Sequence, residues 1–132
     1  MSLYEPRASQ RSAPYWQGVA DEQLLFQQCE SCEHRWMVPR EACAQCGGGA
    51  SWRNATGAGT VYSYSVVRRA PTKDLRDKAP YVLALIDLAE GPRMMSWVID
   101  TPVESVTIGM AVEVVFDAGP AGTLLPMFRP AR

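Results

Sequence analysis

Apolar positions divide the chain into three regimes. Residues 1–14 are polar, carry Pro6 and Pro14 and show no period, which predicts a flexible arm. Tyr15–Asp21 predicts one or two helical turns, and its adjacent aromatics Tyr15 and Trp16 do not share one narrow helix face, so one of them is free to dock elsewhere. Leu24–Gln28 predicts a strand running into Cys29. His34–Val38 predicts its return, stopped at Pro39, and Ala50–Arg53 predicts a third short strand. Between them, Gly47-Gly48-Gly49 reads as a flexible joint.

From Gly57 the pattern becomes that of a sheet. Gly59–Arg69 predicts one long strand, with Val61, Ser63, Ser65 and Val67 on one face and Tyr62, Tyr64, Val66 and Arg68 on the other. Residues 70–79 predict a polar loop. Pro80–Leu88 is apolar on both faces and predicts a central strand, and Arg93–Ile99 follows after the turn Glu90-Gly91-Pro92. Asp100-Thr101-Pro102 breaks the sheet, with Thr101 placed to cap a short turn running to Val106. Ala111–Phe116 and Thr123–Phe128 predict the last two strands, joined by a turn at Asp117-Ala118-Gly119-Pro120; Pro126 confines its strand to an edge or a bulge. Five strands broken between the third and fourth predict a small Greek-key barrel of the OB type, with an SH3-like barrel or half a sandwich as the alternative. The expected chain is mainly β: an arm with a short helix over 1–23, a ribbon over 24–54 and a five-stranded OB-fold barrel over 55–132.

Chemistry enters with the cysteines. All four lie in two Cys-x-x-Cys pairs, Cys29/Cys32 and Cys43/Cys46, ten residues apart. Two intervening residues let both thiolates of a tight turn face one ion, and a second turn completes a tetrahedral cage. Gly47 after Cys46 suits the positive φ such a knuckle needs. Glu33 holds the equivalent place after Cys32 and departs from that rule. The expected metal is one structural Zn2+ per chain, with a rubredoxin-like iron centre as the alternative. The first 20 residues hold no apolar leader and the chain has no run long enough to span a membrane, so a reducing, cytoplasmic setting and metal binding are expected rather than disulfides.

Composition narrows the function. The 132 residues are 47% hydrophobic and 20% charged, enough for one ordinary core. Net charge is −1, without the basic excess of a nucleic-acid binder. A single-stranded nucleic-acid platform built on Tyr62, Tyr64, Trp36, Trp52 and Trp97 is the competing reading. His34 is the only histidine, so no Ser-His-Asp or Cys-His set is available, and a cage closed by four thiolates leaves no position for a reacting water. A solvent-facing strand position is expected for His34.

The ordered set of segments resembles a known family. An aromatic arm precedes a Cys-x-x-Cys pair. Val38-Pro-Arg40 follows, ahead of the second pair, and then Gly57-x-Gly-Thr-Val-Tyr-Ser63. Ala79-Pro-Tyr-Val-Leu-Ala-Leu85, Glu90-Gly91-Pro92, Ile108-Gly-Met110 and Val112-Glu-Val-Val-Phe116 complete the set. This is similar to the acyl-CoA-associated OB-fold family with a rubredoxin-like zinc ribbon, first catalogued as domain of unknown function thirty-five. The resemblance implies a non-catalytic subunit that binds a thiolase-like, hydratase-like or aldolase-type partner in lipid or sterol side-chain metabolism, together with the CoA moiety of its acyl-CoA substrate. CoA is a polyanion carrying an adenine, so Arg40, Arg68, Arg69 and Lys73, with Trp36 as an aromatic platform, are the expected contacts in a seam between ribbon and barrel.

Overall fold

A computed structural model of the chain describes residues 6–118 and 122–132. The part of the expected arm at residues 1–5, and Gly119 and Pro120 of the expected turn, lie outside them. Ser9 and Ser12 exchange backbone-to-hydroxyl bonds (Ser9 N–H to Ser12 Oγ 2.9 Å, Ser12 N–H to Ser9 Oγ 3.1 Å) just before helix α1, Ala13–Ala20. Pro14 sits in its first turn, where a missing N–H costs nothing. A Cβ on Gly18 would lie 2.9 Å from the Leu25 side chain, so this position lets α1 approach the first strand.

Strand β1 (Leu25–Cys29) is the centre of a three-stranded antiparallel sheet, between β2 (Arg35–Trp36) and β3 (Ala50–Asn54). The second strand is shorter than the expected 34–38. Met37 turns inward onto the barrel core, and the backbone of Arg40 is held by the Gln27 side chain instead of a ladder.

Five further strands, β4 (Ala58–Val67), β5 (Tyr81–Leu88), β6 (Arg93–Val98), β7 (Ala111–Ala118) and β8 (Leu124–Pro130), close into a barrel of order β4-β5-β6-β8-β7. All pairs are antiparallel except β6 with β8, which meet at Val98 and Phe128. That order, with its single parallel pair, is the OB-fold. The expected β class and five-stranded barrel are therefore observed. Pro126 lies where β8 pairs with β7 but not yet with β6, a local edge, and its carbonyl accepts the buried Ser96 hydroxyl at 2.8 Å.

Three details differ from the alternation read in the sequence. A bulge between Val61 and Ser63 inserts Tyr62 as an unpaired residue. Parity then reverses: Val61 pairs with core Ile86, but Tyr64 and Val66 pair with core Ala84 and Val82, leaving Ser63 and Ser65 on the outer face. Residues 73–78 form a 3-10 helix whose Leu75 is buried, so the 70–79 loop is anchored rather than freely solvated. Thr101 caps nothing: the 3-10 turn Val103–Ser105 starts after Pro102 without a side-chain cap, and Asp117 and Ala118 extend β7.

Ribbon and barrel share one core. Leu24 is buried with Val61, Val82, Ile86, Val112 and Phe128, while Tyr15, Met37 and Ala55 pack against the same cluster. Burial of Leu24 alone stabilises the junction by about 2 kcal/mol. Ala55 N–H donates to the Leu24 carbonyl (2.8 Å), Arg35 Nη1 to the Glu90 carbonyl (2.7 Å) and Thr56 N–H to Glu90 Oε2 (2.9 Å). The glycine triplet is consequently no joint. A Cβ on Gly48 would lie 2.8 Å from Ser31 Oγ and 2.9 Å from Cys29 Sγ, and Gly49 bridges to Ala42. Among the described residues no helix is long and apolar enough to cross a membrane.

Candidate metal centre and the groove beside the barrel

The two knuckles are built alike. Cys29 ends β1, and its N–H donates to the His34 carbonyl at 2.7 Å; Cys43 N–H donates to the Gly48 carbonyl at 2.9 Å. Each turn passes through positive φ after its second cysteine, at Glu33 (64°) and Gly47 (76°). Glycine accepts this freely. Glu33 adopts it at a cost of about 1–2 kcal/mol, which the metal cage must offset.

The four sulfurs lie within 4.8 Å of one another, with Cys29–Cys46 at 3.4 Å and Cys32–Cys43 at 3.6 Å. A tetrahedron with Zn–S bonds of about 2.3 Å has edges of about 3.8 Å, so the donor set fits a single zinc ion. Backbone N–H groups aim at the sulfurs: Ser31 (3.3 Å) and Cys32 (3.4 Å) at Cys29, and Gln45 (3.3 Å) at Cys43. Those of Cys32 and Ser31 pull the Cys29 thiol down to about 6, while the neighbouring Cys46 sulfur and burial push the Cys32 thiol up to about 12. Cys29 and Cys43 are buried, whereas Cys32 and Cys46 face solvent. The ion is thus held at the rim of the ribbon by four cysteines that leave no position open, which is the chemistry of a structural zinc. His34 stands outside this set, half-buried, with its ring 5.6 Å from Trp36.

Trp36 does not lie on an open seam. It is buried with Cys29 and Cys43, and its Nε1–H donates to Gln27 Oε1 at 2.7 Å. The same oxygen accepts Arg40 N–H at 2.7 Å, and Gln27 Nε2 donates to the Arg40 carbonyl at 3.0 Å. The sequence marks Gln27 only as a polar residue on the inward parity of an apolar strand. Arg40 borders a cleft with Trp52, Arg11 and Glu41, the last two forming an ion pair at 3.0 Å. Arg68, Arg69 and Lys73 are exposed on the connection between β4 and β5. The structure therefore groups these three on one loop and places Arg40 against the ribbon and Trp36 inside it. The aromatic platform is dispersed too: Trp97 stacks on Tyr81 at 4.1 Å, and Tyr62 lies under the Arg93 guanidinium at 3.3 Å.

That loop walls a groove of about 460 Å³ on the outside of the barrel. It is lined by Leu83 of β5, Met95 and Trp97 of β6, Tyr15 and Trp16 of α1, and Pro71 and Leu75 of the connection. Tyr15 is deep enough that burial pushes its phenol up to about 12. The groove escaped the sequence reading because α1 meets β8, more than a hundred positions away, only in the folded chain.

Comparison with known proteins agrees with this architecture. Residues 16–52 match the model of the ChsH2 rubredoxin-like zinc ribbon domain, and residues 52–117 that of the ChsH2 C-terminal OB-fold domain. A DUF35 domain-containing scaffold protein of Methanocaldococcus jannaschii is 41% identical over 95 residues, covering 70% of this chain and 67% of that protein. A probable enoyl-CoA hydratase alpha subunit of Thermomonospora curvata is 30% identical over 128 residues, covering 96% of this chain but only 39% of the longer protein. Among solved structures, a chain of the Ltp2-ChsH2(DUF35) aldolase superposes with a TM-score of 0.84 at 31% identity, covering 97% of this chain and 100% of that one. The chain belongs to the DUF35 family, in which a rubredoxin-like zinc ribbon precedes an OB-fold domain.

Proposed function

We propose that the chain is a non-catalytic subunit of an acyl-CoA enzyme of the hydratase, thiolase or aldolase type, and that it binds the CoA moiety of that enzyme's substrate. The observation that carries this reading is the superposition, over nearly the whole of both chains, on the DUF35 chain of an aldolase assembly. The site chemistry supports it. Cys29, Cys32, Cys43 and Cys46 form a cage suited to a structural ion, and the chain carries a single histidine. The CoA contacts fall to Arg68, Arg69 and Lys73, which give one exposed loop the cationic groups that phosphates require. Arg40 serves the same polyanion from the ribbon, and Trp36 acts only by holding the ribbon in shape. We place such a subunit in lipid or sterol side-chain metabolism.

The test is co-expression with an acyl-CoA hydratase, thiolase or aldolase from the same source, followed by gel filtration with light scattering. Co-elution in fixed stoichiometry is expected. Elution of the chain by itself alongside every such enzyme would overturn the proposal.

A further inference from the structure

The cysteine cage is lopsided toward solvent. Cys29 and Cys43 are buried, at 1% and 4% exposure, whereas Cys32 and Cys46 are exposed. Backbone N–H groups also cover the two inner sulfurs, from Ser31 and Cys32 onto Cys29 and from Gln45 onto Cys43. Each knuckle therefore offers one sulfur to water and keeps one inside. Thiolate sulfur at a surface is what an oxidant reaches, and its reactivity follows its exposure.

Each outer sulfur stands beside an inner one of the opposite knuckle. Cys46 lies 3.4 Å from Cys29, and Cys32 lies 3.6 Å from Cys43. An exposed thiolate with a second cysteine next to it is the arrangement in which one sulfur is oxidised and the other resolves it as a disulfide. The first knuckle is also held against its own preference. Glu33 turns through a φ of 64° directly after Cys32, where Gly47 takes 76° freely after Cys46. That turn relaxes once the cage opens.

We infer that the cage is a peroxide-sensitive clasp: Cys32 or Cys46 reacts first, the buried cysteine beside it in the other knuckle closes the disulfide, and the metal site empties. The exposed sulfur attacks one oxygen of hydrogen peroxide. An S–O bond forms, the O–O bond breaks, and the departing hydroxide takes a proton from solvent. The buried sulfur then attacks the sulfenic sulfur, an S–S bond replaces the S–O bond, and a second hydroxide leaves as water. Two thiolates have lost two electrons, and one peroxide has become two waters. The two thiolates that remain are half of a structural site. The effect reaches beyond the cage, because Cys29 and Cys43 pack on Trp36, and Gln27 ties Trp36 to the Arg40 backbone. The inference needs only the four-cysteine cage and stands whether or not the chain binds CoA.

The experiment treats the full-length, zinc-loaded chain with hydrogen peroxide in about tenfold molar excess, follows zinc release with a chromogenic chelator, and maps the cysteines by peptide mass spectrometry. Zinc is expected to leave the chain, with Cys29 joined to Cys46 or Cys32 to Cys43, and dithiothreitol with added zinc is expected to restore the loaded protein. Zinc that stays bound overturns the inference. So do disulfides confined to Cys29–Cys32 and Cys43–Cys46, and so does oxidation to sulfinate or sulfonate that dithiothreitol fails to reverse. The order of reaction is read without any substitution in the cage, by alkylating the zinc-loaded chain with limiting N-ethylmaleimide. Cys32 and Cys46 are expected to react about tenfold faster than Cys29 and Cys43. Equal rates, or faster reaction of the buried pair, overturn the inference.

Discussion

Replacing Gln27 by alanine should loosen the ribbon more than any other single polar change in it. The Gln27 carboxamide is 4% exposed and makes three hydrogen bonds, to Trp36 Nε1–H, Arg40 N–H and the Arg40 carbonyl, at 2.7, 2.7 and 3.0 Å. Trp36 is itself 6% exposed, so its indole N–H would have no water to turn to. A buried donor left unmatched costs about 1–3 kcal/mol. The Arg40 backbone lies nearer the surface and recovers part of its loss from solvent, which puts the total at about 2–4 kcal/mol. For a chain of this size that is a fall in Tm of roughly 8–15 °C. The assay is thermal unfolding at saturating zinc, followed by far-UV circular dichroism in every variant. Trp36→Phe removes the donor but keeps the ring, so Gln27→Ala should cost about 1–2 kcal/mol less in that background than in the native one. A change below about 0.5 kcal/mol for Gln27→Ala, or strict additivity with Trp36→Phe, would refute the reasoning.

Other consequences follow from the cage, the glycines and the helix. Cys43→Ser should reduce bound zinc from one per chain to well below one by metal analysis and broaden the ribbon resonances, because a structural site loses its ion when it loses a thiolate. A colourless preparation with one zinc per chain is expected, against the colour that iron would give. Gly48→Ala should weaken zinc retention at least tenfold in competition with a chelator, since its Cβ would stand 2.9 Å from Cys29 Sγ and within reach of Ser31. The buried Tyr15 phenol gives a pH signature. Its ordinary value is 10 and burial pushes it to about 12, so the unfolded chain releases this proton first as pH rises. Stability is full below pH 10 and falls by up to about 2 kcal/mol between pH 10 and 12. In Tyr15→Phe that slope should be missing from urea titrations across this range.

What could be read from the residues was local chemistry. Two Cys-x-x-Cys pairs define a cage by spacing alone, and the alternation of Val112, Val114 and Phe116 or the apolar run through Ile86 defines strands by period. The left-handed turn after each knuckle was readable at Gly47 and only half readable at Glu33, where the same geometry is forced on a residue that resists it. What could not be read was set by contacts distant in sequence. The bulge at Tyr62 reverses the faces of β4, and it exists only in the pairing of that strand with β5. The sequence offers Trp36 as a platform in the seam between ribbon and barrel, whereas Gln27, nine residues earlier, takes its nitrogen inside the ribbon. The glycine triplet resembled a hinge because flexibility and close approach use the same residue.

One measurement decides whether the cysteine cage belongs to a staple or to a reaction: steady-state turnover of an acyl-CoA by the purified, zinc-loaded chain, alone and in complex with its enzyme partner. The expected result is no hydration, thiolysis or carbon–carbon cleavage above the buffer rate for the chain alone, and activity in the complex. Turnover by the isolated chain that disappears in Cys43→Ser while the barrel stays folded would contradict a non-catalytic subunit held together by structural zinc.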